Sequence, residues 1–178
     1  MWTMPTYVAF LRAINLGANR TFPKADIVAA TEAAGGTDVV THINTGNVRL
    51  ATPLRSRVKV EAALEAAYEA DRGFVVPTIV LTPAELRQVA ADADELTAGG
   101  RHYVSLLKDP PTEAAVELIE ATGGEGEQAV VRDRAVHLLI DGPDYHFATL
   151  TNAQVEKALG VATNRNLTVI RALVEKWC

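Results

Sequence analysis

Arginine and asparagine, gathered into three short polar segments, are the residues best suited to chemistry in this chain of 178 residues. The first segment carries Arg12, Asn15, Gly17 and Arg20, with Asn19 between them. The second carries Gly46 and Asn47, and the third Asn164, Arg165 and Asn166. A guanidinium presents a planar fork of donors matched to carboxylate or phosphate. Gly17 lets the backbone approach a ligand closely. The third segment precedes the last expected helix, where free N–H groups and the helix dipole favour an anion. Brought together, the first and third segments would form a donor-rich cleft for a small polar or anionic ligand. Each residue also has a structural reading. Asn164 or Asn166 could serve only as an N-cap, Arg12 could pair with a carboxylate, and Asn47 could serve the turn at Gly46.

Conventional catalytic patterns are sparse. Ser56 and Ser105 lack a nucleophile-elbow context. His42, His102, His137 and His146 have no metal-ligand spacing, and no metal site is expected. His42 and His137 fall on expected strands and read as packed or surface residues. His146, beside Tyr145 in the loop before Thr151, is the one catalytic candidate, as a general acid or base. No dinucleotide or Walker pattern is present, and no cofactor is implied. Glu61, Glu65 and Glu69 stand four apart along a helix and read as a solvated acidic stripe. These residues define no reaction, so a binding protein and a non-covalent enzyme are both compatible with them.

The elements that must position these groups are legible from period and punctuation. Tyr7 to Ile14 reads as a strand, followed by a polar loop and a helix opened by Pro23 and closed at Gly35-Gly36. Val39 to Asn44 and Asn47 to Ala51 form an expected hairpin about Thr45-Gly46. A helix follows over Arg57 to Ala70, with Val60, Ala63, Leu64, Ala67 and Tyr68 on one face, and then a strand over Phe74 to Leu81. Thr82-Pro83-Ala84-Glu85 is a capping box that starts a helix running to about Asp94 and bridging the halves.

The order then recurs. Arg101 to Leu107 is a strand, Pro110-Pro111 opens a helix ending at Gly123-Gly124, and Gln128 to Arg132 with Ala135 to Ile140 make a second hairpin. Tyr7-Val-Ala-Phe-Leu-Arg12 matches Tyr103-Val-Ser-Leu-Leu-Lys108 in character, and Glu32-Ala-Ala-Gly-Gly36 matches Glu120-Ala-Thr-Gly-Gly124. Tyr7 to Glu32 spans 25 residues against 17 from Tyr103 to Glu120, so the first strand-to-helix loop holds eight more. Extended loops at strand ends are frequent carriers of function. The tail reads differently from the first unit: a short helix capped at Thr151 and ended by Gly160, then a terminal helix with Leu167, Ile170, Val174 and Trp177 toward the core. The expected fold is α+β, two tandem ferredoxin-like subdomains of β-α-β-β-α type with antiparallel sheets and a C-terminal helical segment. The expected boundaries are 1–81, a bridging helix and linker over 82–100, and 101–178.

Composition narrows the function classes. The net charge is −5 and aromatic residues make 6%. A nucleic-acid-binding sheet exposes a basic face and stacking aromatics, so nucleic acid ranks below a small ligand as partner. A homodimer joined through a sheet edge is a further alternative. No run approaches the roughly 20 apolar residues of a membrane helix. The first residues lack the basic region of a signal peptide, and the single cysteine, Cys178, rules out an internal disulfide. A cytoplasmic protein is expected.

Leu11-Arg-Ala-Ile-Asn-Leu-Gly17, then Pro23, then Ile43-Asn-Thr-Gly-Asn-Val48 resemble the opening of the bacterial domain-of-unknown-function family 1697, with its "LRGINVGG" loop and "SGNVVF" hairpin. Leu150-Thr-Asn-Ala153 with Glu156, and Thr163-Asn-Arg-Asn166 with Thr168-Val169, resemble its C-terminal motifs. The resemblance implies an α+β fold with ferredoxin-like subdomains and supplies no activity. Ala13 and Ala18 stand where that family has glycine, and Asn19, Thr21 and Thr149 where it has lysine. The missing lysines weaken any polyanion-binding role.

Overall fold

The computed structural model describes residues 3–96, 100–141 and 148–178. The described chain divides into two compact units between Leu86 and Arg87. The first contains β1 (Thr6–Leu11), α1 (Lys24–Ala33), β2 (Thr37–His42), β3 (Asn47–Ala51), α2 (Arg57–Arg72) and β4 (Thr78–Leu81). The helix α3 (Pro83–Glu95) spans the division. The second contains β5 (Arg101–Leu107), α4 (Glu113–Glu120), β6 (Glu127–Arg132), β7 (Ala135–Ile140), α5 (Asn152–Leu159), β8 (Ala162–Asn166) and α6 (Leu167–Trp177). The sheet orders are β2-β3-β1-β4 and β6-β7-β5-β8, antiparallel throughout. Each unit is therefore a ferredoxin-like β-α-β-β-α-β fold, and α6 closes the chain.

The tail is the point where the fold departs from the reading of the sequence. Residues 162–166, expected to be only the approach to the last helix, form the edge strand β8, paired with β5 from Tyr103–Asn166 to Leu107–Ala162. The tail therefore repeats the first unit: α5, β8 and α6 follow β7 as α2, β4 and α3 follow β3. Smaller shifts follow local chemistry. The strand expected from Phe74 begins at Thr78. Helix α4 begins after Thr112, whose hydroxyl accepts from the Ala115 N–H, rather than at Pro110-Pro111.

In the first unit, Tyr7, Ala9 and Leu11 of β1 and Val48 and Leu50 of β3 pack with Phe22, Ile27, Leu64 and Tyr68. The buried Tyr68 hydroxyl lies 2.7 Å from Thr31 Oγ1, and burial pushes its pKa up. The alternate residues Val8, Phe10, Ile79 and Leu81 are equally buried, so both faces of this sheet are covered. In the second unit, Leu107, Val136 and Leu138 pack with Ile119, Leu150 and Val155.

The acidic stripe on α2 is fully solvated only at Glu69, against the expectation for Glu61 and Glu65. Glu61 is only 1% exposed. Its Oε2 accepts the Val80 N–H at 3.1 Å, and Glu65 Oε1 accepts the Thr78 N–H at 2.9 Å. Two carboxylates one turn apart thus occupy alternate donors of the edge strand β4. In the second unit Glu156 of α5 accepts the Ala162 N–H of the edge strand β8, and Glu120 accepts the Val131 N–H of β6. On β2, the remaining edge, the register shifts between Thr37 and Val40, with Asp38 left-handed at φ 50°. Carboxylate caps and a bulge are devices that discourage further strand pairing, and they count against a dimer joined through these edges.

Candidate functional site

The first two polar segments meet at one end of the first sheet. Leu11 N–H donates to Gly46 O at 2.8 Å, which brings the β1–α1 loop against the β2–β3 turn. Arg12 N–H donates to Pro77 O at 2.9 Å, which adds the segment leading into β4. Asn15 then ties the loop in three places. Its Nδ2 donates to Phe22 O at 3.0 Å and to Asn44 O at 2.9 Å, while its Oδ1 accepts the Phe22 N–H at 2.8 Å. Arg20 Nε donates to Ala13 O and Nη2 to Val75 O, both at 2.7 Å, with the guanidinium 4.6 Å from the Phe74 ring centroid. Asn47, fully buried, donates to His42 O and Thr45 Oγ1, both at 3.0 Å.

The geometry sorts the expected ligand-binding residues by role. Asn15, Arg20 and Asn47 spend these donors on the loop itself. Arg12 is half-buried, Leu16 to Asn19 and Ile43 to Thr45 are exposed, and Gly17 at φ 80° stands in open space. Ala13, Asn15, Arg20 and Ile43 all have φ between 52 and 62°. Among the described residues, these are four of the six non-glycine residues in the left-handed region. Such conformations persist only where surrounding contacts over-determine them, and they gather at functional loops. Asn15→Ala should cost about 2 kcal/mol, since it leaves both backbone groups of the buried Phe22 and the carbonyl of the exposed Asn44 to find new partners. Denaturant unfolding of wild type and variant measures that loss.

The repeat shows what is special at this end. By the matched segments and the bond to Leu107 N–H, Arg134 occupies the place of Gly46. Arg134 is buried, and its Nη1 donates to Leu107 O at 3.1 Å and Lys108 O at 3.2 Å. In the first unit a Cβ at position 46 would meet Leu11 Cβ at 2.7 Å. One repeat places a side chain at this corner; the other keeps a glycine there, packed directly against Leu11 and Ile14.

The third polar segment precedes the last helix as expected, but as part of the strand β8 in the second unit. Asn164 Nδ2 donates to Ser105 Oγ at 3.1 Å, and Ser105 Oγ donates to Asn152 Oδ1 at 2.9 Å. Arg165 is buried, and its Nη1 donates to Thr163 Oγ1 and Asn164 O at 2.8 Å. Burial pushes the Arg165 pKa down to about 10, which leaves it charged at neutral pH. Asn166 Oδ1 accepts the Thr168 N–H at 2.9 Å and caps α6, so the helix start is occupied by its own N-cap. His146, the catalytic candidate, lies outside the described residues.

Two further features carry no signal in the sequence. Arg72 reaches back from α2 to Thr21 O at 3.3 Å and Asp26 Oδ2 at 3.0 Å, with its guanidinium 5.0 Å from the Phe22 ring centroid. It braces the far side of the loop from a position 51 residues on. In the second unit His102 Nε2 and His137 Nδ1 lie 2.8 Å apart, brought together by strand register. Among the described residues no group of three His, Cys, Asp or Glu could hold a metal ion, and no helix is long and apolar enough to cross a membrane.

Comparison with known proteins adds family and fold. A family model described as "Protein of unknown function (DUF1697)" matches residues 4–137. The match takes in the loop and hairpin just described and ends before the C-terminal motifs. The solved structure of a conserved bacterial protein from Streptococcus pneumoniae is similar, with 15% sequence identity, a TM-score of 0.70 and coverage of 97% of each chain. At that identity the likeness concerns the fold alone. No curated protein matches the chain.

Proposed function

The chain belongs to the family of unknown function 1697, and from that premise, which assigns no reaction, we propose that it binds a small polar or anionic ligand at the loop end of its first unit. The observation that supports this reading is the concentration of left-handed residues at Ala13, Asn15, Arg20 and Ile43. Asn15 and Arg20 hold the loop by bonds to backbone carbonyls, which fixes its shape before any ligand arrives. A preformed loop loses less ordering entropy on binding. Arg12 supplies the cationic fork at the base of the site, and Asn19, Asn44 and Thr45 supply polar groups at its exposed rim. The segment from Asn164 to Asn166 is not part of this proposal, because its side chains serve the strand and helix cap of the second unit. The loops of the site hold no serine, cysteine or histidine, so the reading is of ligand binding, with any catalysis resting on positioning by Arg12 and the rim groups.

The test is a thermal-shift series with phosphate, sulfate, citrate and nucleoside monophosphates on wild type and Arg12→Ala. At least one anion is expected to raise the wild-type midpoint in a concentration-dependent way. Arg12→Ala should weaken the response about tenfold or more, in keeping with about 1.4 kcal/mol or more for a charge-assisted contact. The ligand-induced shift, not the midpoint itself, is the quantity compared. An equal shift in Arg12→Ala, or no shift in wild type with any of these anions, would overturn the proposal.

A further inference from the structure

The register of the second sheet brings together two histidines that stand 35 residues apart. His137 pairs with Val104 and His102 with Leu139, so both imidazoles lie on the sheet face away from the core of α4 and α5. Their rings stand at 75° with centroids 5.1 Å apart, and His102 Nε2 to His137 Nδ1 is 2.8 Å. His137 is 0% exposed, and its Nε2 has no hydrogen-bond partner among the described residues.

We infer that this pair is an acid-sensitive lock on the second unit. In the neutral pair one ring N–H donates to the other ring's lone pair, and β5 is cross-linked to β7 on a covered face. Protonation of the acceptor turns both facing nitrogens into donors and breaks that bond. It also leaves a buried imidazolium whose Nε2 proton has no acceptor, a costly arrangement.

The charged surroundings act in both directions. Asp92 of α3 favours a proton on His137, while His102 of β5 and Arg132 of β6 oppose it. Arg171 of α6 opposes a proton on His102, although Asp94 of α3 pairs with Arg171 at 2.8 Å. Arg165 of β8 adds a buried cation on the same face. Burial is the largest effect, and together these hold His137 down to about 4 and lower His102 as well. An unfolded histidine titrates near 6.5. Above that value both states are neutral and the full stability is present. As pH falls from about 6.5 toward 4, the unfolded chain takes up a proton that the folded one refuses, so stability is lost across that window.

The experiment is hydrogen exchange on the full chain at pH 7 and pH 5, corrected for intrinsic rates. The amides of β5 and β7 are expected to lose roughly 20-fold protection between pH 7 and pH 5, as a shift from about 6.5 to about 4 implies. His137→Leu should abolish most of that dependence. Imidazole nitrogen spectra of the wild type decide independently of whether the variant folds, with His137 expected to remain neutral at pH 5. Equal protection at both pH values, an unchanged dependence in His137→Leu, or a His137 titrating near 6.5 would each overturn the inference.

Discussion

Replacing Glu61 with alanine is expected to destabilise the first unit by about 2–4 kcal/mol, from a buried backbone donor left unsatisfied and the loss of a half-buried ion pair. Glu61 joins helix α2 to strand β4 through one carboxylate, which also pairs within the helix. It belongs to α2, its Oε1 accepts from Arg57 Nη1 at 2.8 Å, and its Oε2 accepts the Val80 N–H of β4 at 3.1 Å. Alanine would leave the Arg57 guanidinium without this acceptor and a buried donor at the sheet edge unsatisfied. Glu61→Gln separates the two losses, because its amide oxygen can still accept from Val80 while its amide nitrogen cannot accept from Arg57. Its expected cost lies between wild type and alanine. Glu65→Ala removes the neighbouring cap from Thr78 N–H at 2.9 Å, but Glu65 is half-buried, so the cost should be about 1 kcal/mol. Denaturant unfolding followed by a probe in the first unit measures the series. A Glu61→Ala midpoint equal to that of Glu65→Ala would count against the buried carboxylate as a linchpin. Loss of the cap also exposes edge donors, so Glu61→Ala should be more prone to association than wild type.

The same carboxylate marks the boundary of what the sequence discloses. The duplication was readable because it rests on local signals: tyrosine-led apolar strands, Ala-Gly helix ends and hairpin turns, each repeated. The capping box at Thr82 was readable for the same reason, and the reciprocal bonds form, Thr82 N–H to Glu85 Oε2 at 2.7 Å and Glu85 N–H to Thr82 Oγ1 at 3.1 Å. The role of Glu61 was not readable. A glutamate at four-residue spacing looks alike whether it faces water or the backbone donors of a strand 19 residues on. Strand β8 was hidden by composition: Ala-Thr-Asn-Arg-Asn has no apolar alternation, and it pairs through the backbone ladder with β5, where Asn164 also reaches Ser105. The site residues were legible as a set and not as roles. Asn15 and Arg20 stood out as polar groups in a long loop, yet the acceptors that claim them are the carbonyls of Phe22, Asn44, Ala13 and Val75, which leave no trace in side-chain pattern. His102 and His137 were likewise visible singly, and only register places them in contact.

Gly46→Ala is expected to cost about 2–5 kcal/mol and to abolish the proposed ligand response, and Gly17→Ala explains why both effects belong to position 46. The two glycines share φ 80°, a conformation that costs an L-residue roughly 1–2 kcal/mol. They differ in surroundings. A Cβ at Gly17 meets nothing within 4 Å, so strain is its only cost. A Cβ at Gly46 would stand 2.7 Å from Leu11 Cβ, 3.0 Å from Ile14 Cδ1 and 3.2 Å from Leu11 O. Leu11 and Ile14 are buried, so relief requires a shift of β1 or of the turn, and overpacking of this kind adds roughly 1–3 kcal/mol. That shift would pull on the Leu11 N–H to Gly46 O bond of 2.8 Å, which sets the β1–α1 loop against the hairpin. Arg134, at the equivalent place in the second unit, is not left-handed, so a side chain is compatible with this topology where the turn keeps a negative φ there. The glycine at position 46 is therefore a requirement of this turn's left-handed backbone and close packing, not of the ferredoxin-like fold. Unfolding of the two alanine variants, with the anion-induced shift measured on each, checks the argument. Equal losses at positions 17 and 46 would show that strain alone decides, and would remove the close approach at Gly46 from the account of the site.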